Sequence, residues 1–294
     1  MFLLIILALI AFGLQGLQYW TNGWYLEWYM FWTWIVFPIV FILALFAAYL
    51  IILFLVGALL GTAEPKKPSK FAKWIIEQTV FIVMLFLRLR LHTSGLGKLP
   101  SRKTPVMIVH NHLSTFDEFA MIWAFRHHGV LFISKEANFH IPIAGNWIRK
   151  AGYLSILQGD LVNGKATIEK AVGHITSGKN SICVAPEGTR NKDFPNPQLL
   201  PFHPGTFNLA KDAHCPIVVV ALQNTYAVSH RFPLKRTDVY LDVVGVIDPS
   251  TVDAKSSSEL ADMSRSLILK RFEDKGARFY HLEEKKKPEV PDDK

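Results

Sequence analysis

The first 63 residues of this 294-residue chain contain no lysine and no arginine, and their single acidic residue is Glu27. The whole chain is poor in charge: 19% charged against 50% hydrophobic, with a mean hydropathy of +0.23. Soluble domains carry about 25% charged residues, so the balance argues against an ordinary cytosolic enzyme. Cysteine is scarce too. Cys183 and Cys215 cannot make a disulfide framework, and both are expected reduced in a cytosol-facing domain. The same composition excludes a disordered or collagen-like chain. The charge missing from the front is concentrated behind it, where all 32 Lys and Arg face 23 of the 24 acids. A basic surface of this kind suits nucleic acid or anionic lipid headgroups, and an adjoining apolar segment favours the lipid.

Ile39–Gly61 is an uncharged run of 23 residues, and about 20 suffice to span a bilayer core of about 30 Å. It predicts a transmembrane helix with Pro38 near its start, where a missing amide is tolerated. Met1–Gln18 is a second apolar helix that either spans or lies in one leaflet. A cleaved signal peptide is the competing reading, but the run lacks a basic start and an A-x-A site. Between the two lies an aromatic segment, residues 19–34, with Tyr19, Trp20, Trp24, Tyr25, Trp28, Tyr29, Trp32 and Trp34. Its tryptophans at every fourth position share a helix face, suited to the headgroup layer or to packing against protein. Lys66, Lys67, Lys70 and Lys73 follow, and the positive-inside tendency puts the remaining domain on the cytoplasmic side. The expected organisation is a membrane anchor over residues 1–63, a basic linker over 64–75, a catalytic domain over 76–281 and a charged tail over 282–294.

Lys70–Leu91 reads as a helix whose apolar part, Thr79–Leu87, is too short to span and is either interfacial or part of the next core. Beyond Pro105, β-branched runs alternate with helical ones. Expected strands are Val106–His110, Val130–Ser134, Tyr153–Leu157, Ser181–Ala185, Pro216–Leu222 and Asp238–Val246. Expected helices are Phe116–His127, Ile143–Lys150, Lys165–Thr176, Gly205–Lys211 and Ser257–Asp274. The alternation defines an α/β layered domain with a largely parallel central sheet, whose ligand crevice lies beyond the carboxyl ends of the strands.

Two clusters at such strand ends carry chemistry. The first is His110-Asn111-His112-Leu113-Ser114-Thr115-Phe116-Asp117. Thr115 and Glu118 have the spacing of a capping box, which would put Asp117 in the first helical turn, directed back towards His112. A carboxylate there fixes one imidazole nitrogen and leaves the other as a base; the alternative is an acid that only favours the helix dipole. The second cluster is Pro186-Glu187-Gly188-Thr189-Arg190. Glycine lets amides approach an anion and arginine grips phosphate oxygens, while the simpler reading is a turn with an exposed arginine.

Together, His112, Asp117 and Pro186–Arg190 resemble the glycerolipid acyltransferase family that includes the 1-acylglycerol-3-phosphate (lysophosphatidate) acyltransferases. Ser134-Lys135-Glu136, Ile141–Gly145, Phe202–Ala210 and Cys215–Val218 extend the resemblance over roughly residues 95–224. It implies transfer of an acyl group from acyl-CoA or acyl-carrier protein to a glycerol hydroxyl at the membrane, with no cofactor beyond that co-substrate. His112 would be the base and Asp117 its orienting partner. Glu187, Gly188, Thr189, Arg190, Lys135 and Gln158 would form the substrate-binding set, with no metal. Where the family usually has an arginine after the middle strand this chain has Gln158, and His203 replaces a position that is often basic. Both changes leave room for another lysophospholipid or glycerol-phosphate acceptor.

Two other patterns compete. Gly159–Ala166 nearly matches a P-loop, but Ala166 replaces the hydroxyl residue that ligates magnesium, so it reads as a turn opening the Lys165–Thr176 helix. His110, His112 and Asp117 could instead ligate a metal, which would make the chain a membrane-bound metallohydrolase. A non-catalytic lipid-binding protein is the remaining alternative.

Overall fold

The computed structural model describes residues 2–23, 33–196, 198–274 and 277–279. Two apolar helices open the chain, α1 (Phe2–Asn22) and α2 (Thr33–Leu60). They pack along one another, and α1 buries Ala11, Gln15 and Tyr19, each four residues from the next, while Trp20 stays 78% exposed. Trp24, Tyr25, Trp28, Tyr29 and Trp32 of the expected aromatic face lie outside the described residues, as does the 282–294 tail. Within α2, Ile35–Leu60 is long and apolar enough to cross a membrane, with a mean hydropathy of 3.2. Much of its surface is bare, including Ile39, Leu43, Ile51 and Leu55.

The carboxyl-terminal half of α2 is nevertheless joined to the rest of the chain. It forms a hairpin with α3 (Lys70–Phe86), in which Tyr49 Oη and Thr79 Oγ1 lie 2.7 Å apart. Trp147 Nε1 donates to Leu53 O at 2.9 Å and Asn146 Nδ2 to Gly57 O at 2.9 Å. These two side chains belong to α5 (Gly145–Lys150). A β-carbon on Gly57 would sit 3.0 Å from Trp147 Nε1, so a residue without one permits the close approach. Helix α3 buries Ala72, Ile76, Val80 and Met84 at helical spacing, which makes it a core helix.

The helix expected over Lys70–Leu91 stops at Phe86, and Leu89–Ser94 is a strand, β1, that the sequence pattern missed. Arg88 between them takes a left-handed φ of 53° and turns the chain. Six further strands follow: β2 (Met107–His110), β3 (Val130–Lys135), β4 (Leu154–Ile156), β5 (Ser181–Val184), β6 (Ile217–Gln223) and β7 (Thr237–Ile247). Among the described residues these seven form one sheet in the order β1-β7-β6-β2-β5-β3-β4. Every pairing is parallel except β6 with β7, so β7 and β1 run opposite to the rest.

Alternate side chains of the central strands enter two cores. Ile108, Val218 and Val220 face α3 and α4 (Asp117–Ala124). Met107, Val109, Val219 and Ala221 face α6 (Leu161–Thr176), α7 (Asn208–Asp212), α9 (Pro249–Ala254) and α10 (Ser257–Glu273). Both faces are therefore covered, as a mostly parallel sheet requires. Cys183 and Cys215 are buried free thiols. The segment with P-loop spacing is not a phosphate loop: Asp160 caps α6 by accepting from Asn163 N, and the helix begins at Leu161, so Gly164 and Lys165 already lie inside it.

Candidate active site

Strand β2 ends at His110, and the chain turns through 111–116 into α4. Asn111 is buried and uses both ends of its amide to prolong the sheet, donating to Leu222 O at 3.0 Å and accepting from Leu222 N at 2.7 Å. His112 follows as the first residue of the crevice. Its Nδ1 lies 2.8 Å from Asp117 Oδ2, and the same oxygen accepts from Leu113 N at 2.7 Å and Ser114 N at 2.9 Å. An oxygen already facing two amide donors must act as an acceptor, so Nδ1 carries the proton and Nε2 is left as the basic nitrogen.

The capping box does not form. The residue before α4 is Phe116, with no side-chain cap, and Thr115 instead accepts from Arg190 Nη1 at 2.8 Å. Asp117 is fully buried, and its Oδ1 has no hydrogen-bond partner.

The Pro186–Arg190 loop reaches this turn because it is bonded to the main chain of His112. Glu187 Oε1 accepts from His112 N at 2.6 Å and its Oε2 from Leu200 N at 3.0 Å, while Asn191 N donates to His112 O at 2.8 Å. Glu187, expected in the substrate-binding set, is 2% exposed and has both oxygens bonded to backbone amides, so it clamps the loop to the His112 turn. Gly188 has a left-handed φ of 66°, and a β-carbon there would come within 3.0 Å of the His203 ring. Its carbonyl accepts from the Gln158 amide. Thr189 and Arg190 are exposed at the mouth, Lys135 ends β3 half-buried, and Lys165 is exposed on α6.

Sequence reasoning treated Glu118 only as a cap partner, yet its Oε1 lies 3.8 Å from His112 Nε2. Its place beside Asp117 in the first turn was the available signal. Burial pushes the Glu118 carboxyl up to about 7, against the pull of His112. Burial also pushes Glu187 up to about 7, although its two amide partners oppose this. For His112, burial favours the neutral ring, but the hydrogen bond and charge of Asp117, aided by Glu118 and Glu187, outweigh it and hold the imidazole above its usual value.

His110 is a different case. Burial pushes it down to about 4, and its Nδ1 is spent on Asn111 O at 2.8 Å. The two histidine rings stand perpendicular with centroids 6.3 Å apart, and the described residues contain no group of three His, Cys, Asp or Glu side chains set to hold a metal. A cleft of about 600 Å³ between β1 and the end of α4, lined by Leu91, Leu99, Arg102, Trp123 and His127, lies at the opposite end of the sheet from His112.

A buried acid behind one imidazole nitrogen, with an arginine across the same mouth, is the equipment of general-base catalysis on an anionic substrate. Residues 90–223 match the family described as Acyltransferase. The chain is 29% identical over 154 residues to the 1-acyl-sn-glycerol-3-phosphate acyltransferase of Saccharomyces cerevisiae, covering 52% of this chain and 50% of that protein. It is 31% identical over 131 residues to the chloroplastic 1-acyl-sn-glycerol-3-phosphate acyltransferase BAT2 of Brassica napus, covering 45% and 36%. The chain thus spans half or less of the length of these two relatives. Its fold matches the crystal structure of PlsC, the 1-acyl-sn-glycerophosphate acyltransferase of Thermotoga maritima, with a TM-score of 0.56 and 22% identity over 71% of this chain and 81% of that one.

Proposed function

We propose that this chain is a membrane-anchored O-acyltransferase that esterifies lysophosphatidate to phosphatidate. The observation that carries the reading is the tautomer of His112: Nδ1 is held by Asp117, and the basic Nε2 lies 3.8 Å from Glu118 Oε1, in the turn to which Arg190 is bonded through Thr115. Nε2 takes the proton of the acceptor hydroxyl as its oxygen attacks the acyl carbonyl of a thioester. The tetrahedral intermediate collapses by breaking the carbon–sulfur bond, and the departing thiolate takes the proton back from His112. A thioester is already activated, so a base and a positioned alcohol are sufficient and no resident cofactor or metal is required. Acyl-CoA or acyl-carrier protein supplies the thioester.

Arg190 and the amides around Gly188 hold the acceptor phosphate, with Gln158 offering an amide where a cation would bind more tightly. Helix α2 anchors the domain with its site on the cytoplasmic side, next to an acceptor and product that both reside in lipid. The supporting comparison is that curated relatives named for this acceptor align with about half of the chain.

The test is a CoA-release assay on the reconstituted protein with lysophosphatidate, glycerol 3-phosphate and neutral-headgroup lysolipids. Lysophosphatidate is expected to turn over fastest, and His112→Ala to abolish turnover. Full activity in that variant refutes the assigned base, and a preference for a neutral headgroup refutes the acceptor.

A further inference from the structure

Helix α2 is not the only apolar element at the catalytic end of the sheet. Strands β7 and β1 start in register, Thr237 opposite Leu89, and Tyr240 pairs with Gln223 at the carboxyl end of β6. The chain entering β7 therefore lies beyond the strand ends that carry His112. That chain is Arg231-Phe232-Pro233-Leu234-Lys235-Arg236, joining β7 to the short helix α8 (Val228–Arg231). Leu234 at its tip is 83% exposed, and Leu85 and Phe86 at the adjacent end of α3 are 57% and 69% exposed.

This turn is held in shape. Arg88 Nη1 donates to Pro233 O at 3.2 Å and Leu234 O at 3.0 Å. Arg231 donates to Arg236 O through Nε at 3.1 Å and Nη2 at 3.0 Å, and Phe232 packs on Phe86 with centroids 5.2 Å apart. A leucine fixed at the tip of a braced turn cannot fold back to hide itself. Around it stand Arg88, Arg90, Lys235 and Arg236, all exposed, and the neighbouring acid, Asp238, is bonded to His92.

The position relative to α2 decides what such a tip meets. Tyr49 of α2 sits beside Thr79 of α3, and α2 runs 16 residues back from Tyr49 to Thr33 while α3 runs only 7 on to Phe86. At 1.5 Å per residue the bare end of α2 projects roughly 13 Å past α3, on the same side as Leu234. Helix α2 is bonded to α5, between β3 and β4 at one edge of the sheet, whereas the turn stands over β7 and β1 at the other. His112, following the central strand β2, lies between them.

We propose that the Arg231–Arg236 turn, with Leu85 and Phe86, is a second membrane contact: Leu234 enters the interfacial layer of an anionic leaflet while the flanking cations bind its phosphates. Charge complementarity and continuity with the projecting end of α2 select a lipid surface as the occupant. Attachment at both edges of the sheet holds the mouth of the site against the leaflet. The proposal rests on the reading that the site serves a membrane lipid, but its test reads depth and not turnover, so the two can fail separately.

The test is Leu234→Cys labelled with an environment-sensitive fluorophore in the full chain, reconstituted into phosphatidylcholine vesicles with or without phosphatidylglycerol. Both native thiols are buried, so the new one is labelled selectively. Lys179→Cys, at the amino ends of the strands, is the reference. Brominated lipid is expected to quench the label at 234 about threefold more than at 179, with aqueous iodide showing the reverse. Lys235→Gln with Arg236→Gln is expected to reduce the bromolipid effect in the anionic vesicles. Iodide quenching as strong at 234 as at 179 overturns the proposal. So does protection from both quenchers, which would mean that a second copy of the chain covers the turn.

Discussion

Asp117→Asn tests the catalytic geometry because the structure predicts an intermediate loss of activity. In a base held only by a carboxylate, an asparagine can turn its NH₂ towards the imidazole and impose the wrong tautomer, at a cost of about 10⁴ in rate. Here the atom next to His112 Nδ1 also faces the amides of Leu113 and Ser114 at 2.7 and 2.9 Å. An NH₂ at that position would confront two N–H donors, so the asparagine must place its oxygen there. Its NH₂ then takes the place of Oδ1, which has no partner to lose. The tautomer survives and the charge goes.

A hydrogen bond to a charged group contributes about 1.5–3 kcal/mol and a neutral one about 0.5–1.5 kcal/mol, so the imidazolium formed on proton transfer loses on the order of 1–2 kcal/mol. That converts to a fall in kcat of roughly 5- to 30-fold. Because the side-chain hydrogen bond and charge of Asp117 help hold the imidazole up, the acid limb of kcat/KM must also move to lower pH. Asp117→Ala is harsher, since it leaves buried donors unsatisfied at about 1–3 kcal/mol each. The assay is CoA release against pH for the wild type and both variants, with thermal unfolding in parallel. A 10⁴-fold loss in Asp117→Asn, or an acid limb that stays in place, would refute the argument that two backbone amides fix the orientation.

Three further outcomes follow from the same geometry. Glu118→Gln removes a carboxyl 3.8 Å from the basic nitrogen, a group whose ionised form above about pH 7 favours the imidazolium. The imidazole then loses a proton more readily, and the acid limb shifts downward with the lysophosphatidate KM little changed; an upward shift would contradict the pairing. Arg190→Ala should raise the KM for a phosphorylated acceptor about tenfold with a smaller effect on kcat, because it removes binding that is uniform through the reaction. A change confined to the acyl-donor KM would remove the phosphate role. Glu187→Gln keeps one acceptor oxygen for two amides, so it should lower stability by about 1–3 kcal/mol in thermal or denaturant unfolding. Since those amides are His112 N and Leu200 N, kcat and KM should worsen together; a pure KM effect would make Glu187 a substrate contact after all.

The central strands were legible because consecutive β-branched residues such as Val218, Val219 and Val220 are all buried only in a sheet covered on both faces. Helix α2 was equally plain, an uncharged run longer than any core helix of this domain. Strand β1 was hidden because Leu89-Arg90-Leu91 continues a helical pattern, and only the left-handed turn at Arg88 breaks it. The start of α6 was misplaced for a similar reason: Leu161 and Val162 are 90% and 81% exposed, and no apolar periodicity marks a helical turn that packs against nothing. At the site, the spacing of His112 and Asp117 was readable, but the partner of Arg190 was not. Thr115 was assigned to its own helix by a local rule, and a contact 75 residues away in sequence won.

That long-range contact explains why two short motifs behave as one site. The His112 peptide is held at both ends by the Glu187–Asn191 segment, its N–H by Glu187 and its carbonyl by Asn191 N. His112 is thus fixed from its side chain by Asp117 and from its backbone by the loop that carries Arg190. Displacing that loop would move the imidazole with it, so the spacing of the His112 imidazole and the Arg190 loop is set by hydrogen bonds within a single cluster. An acyl transfer that needs no enzyme nucleophile depends on such positioning for most of its acceleration.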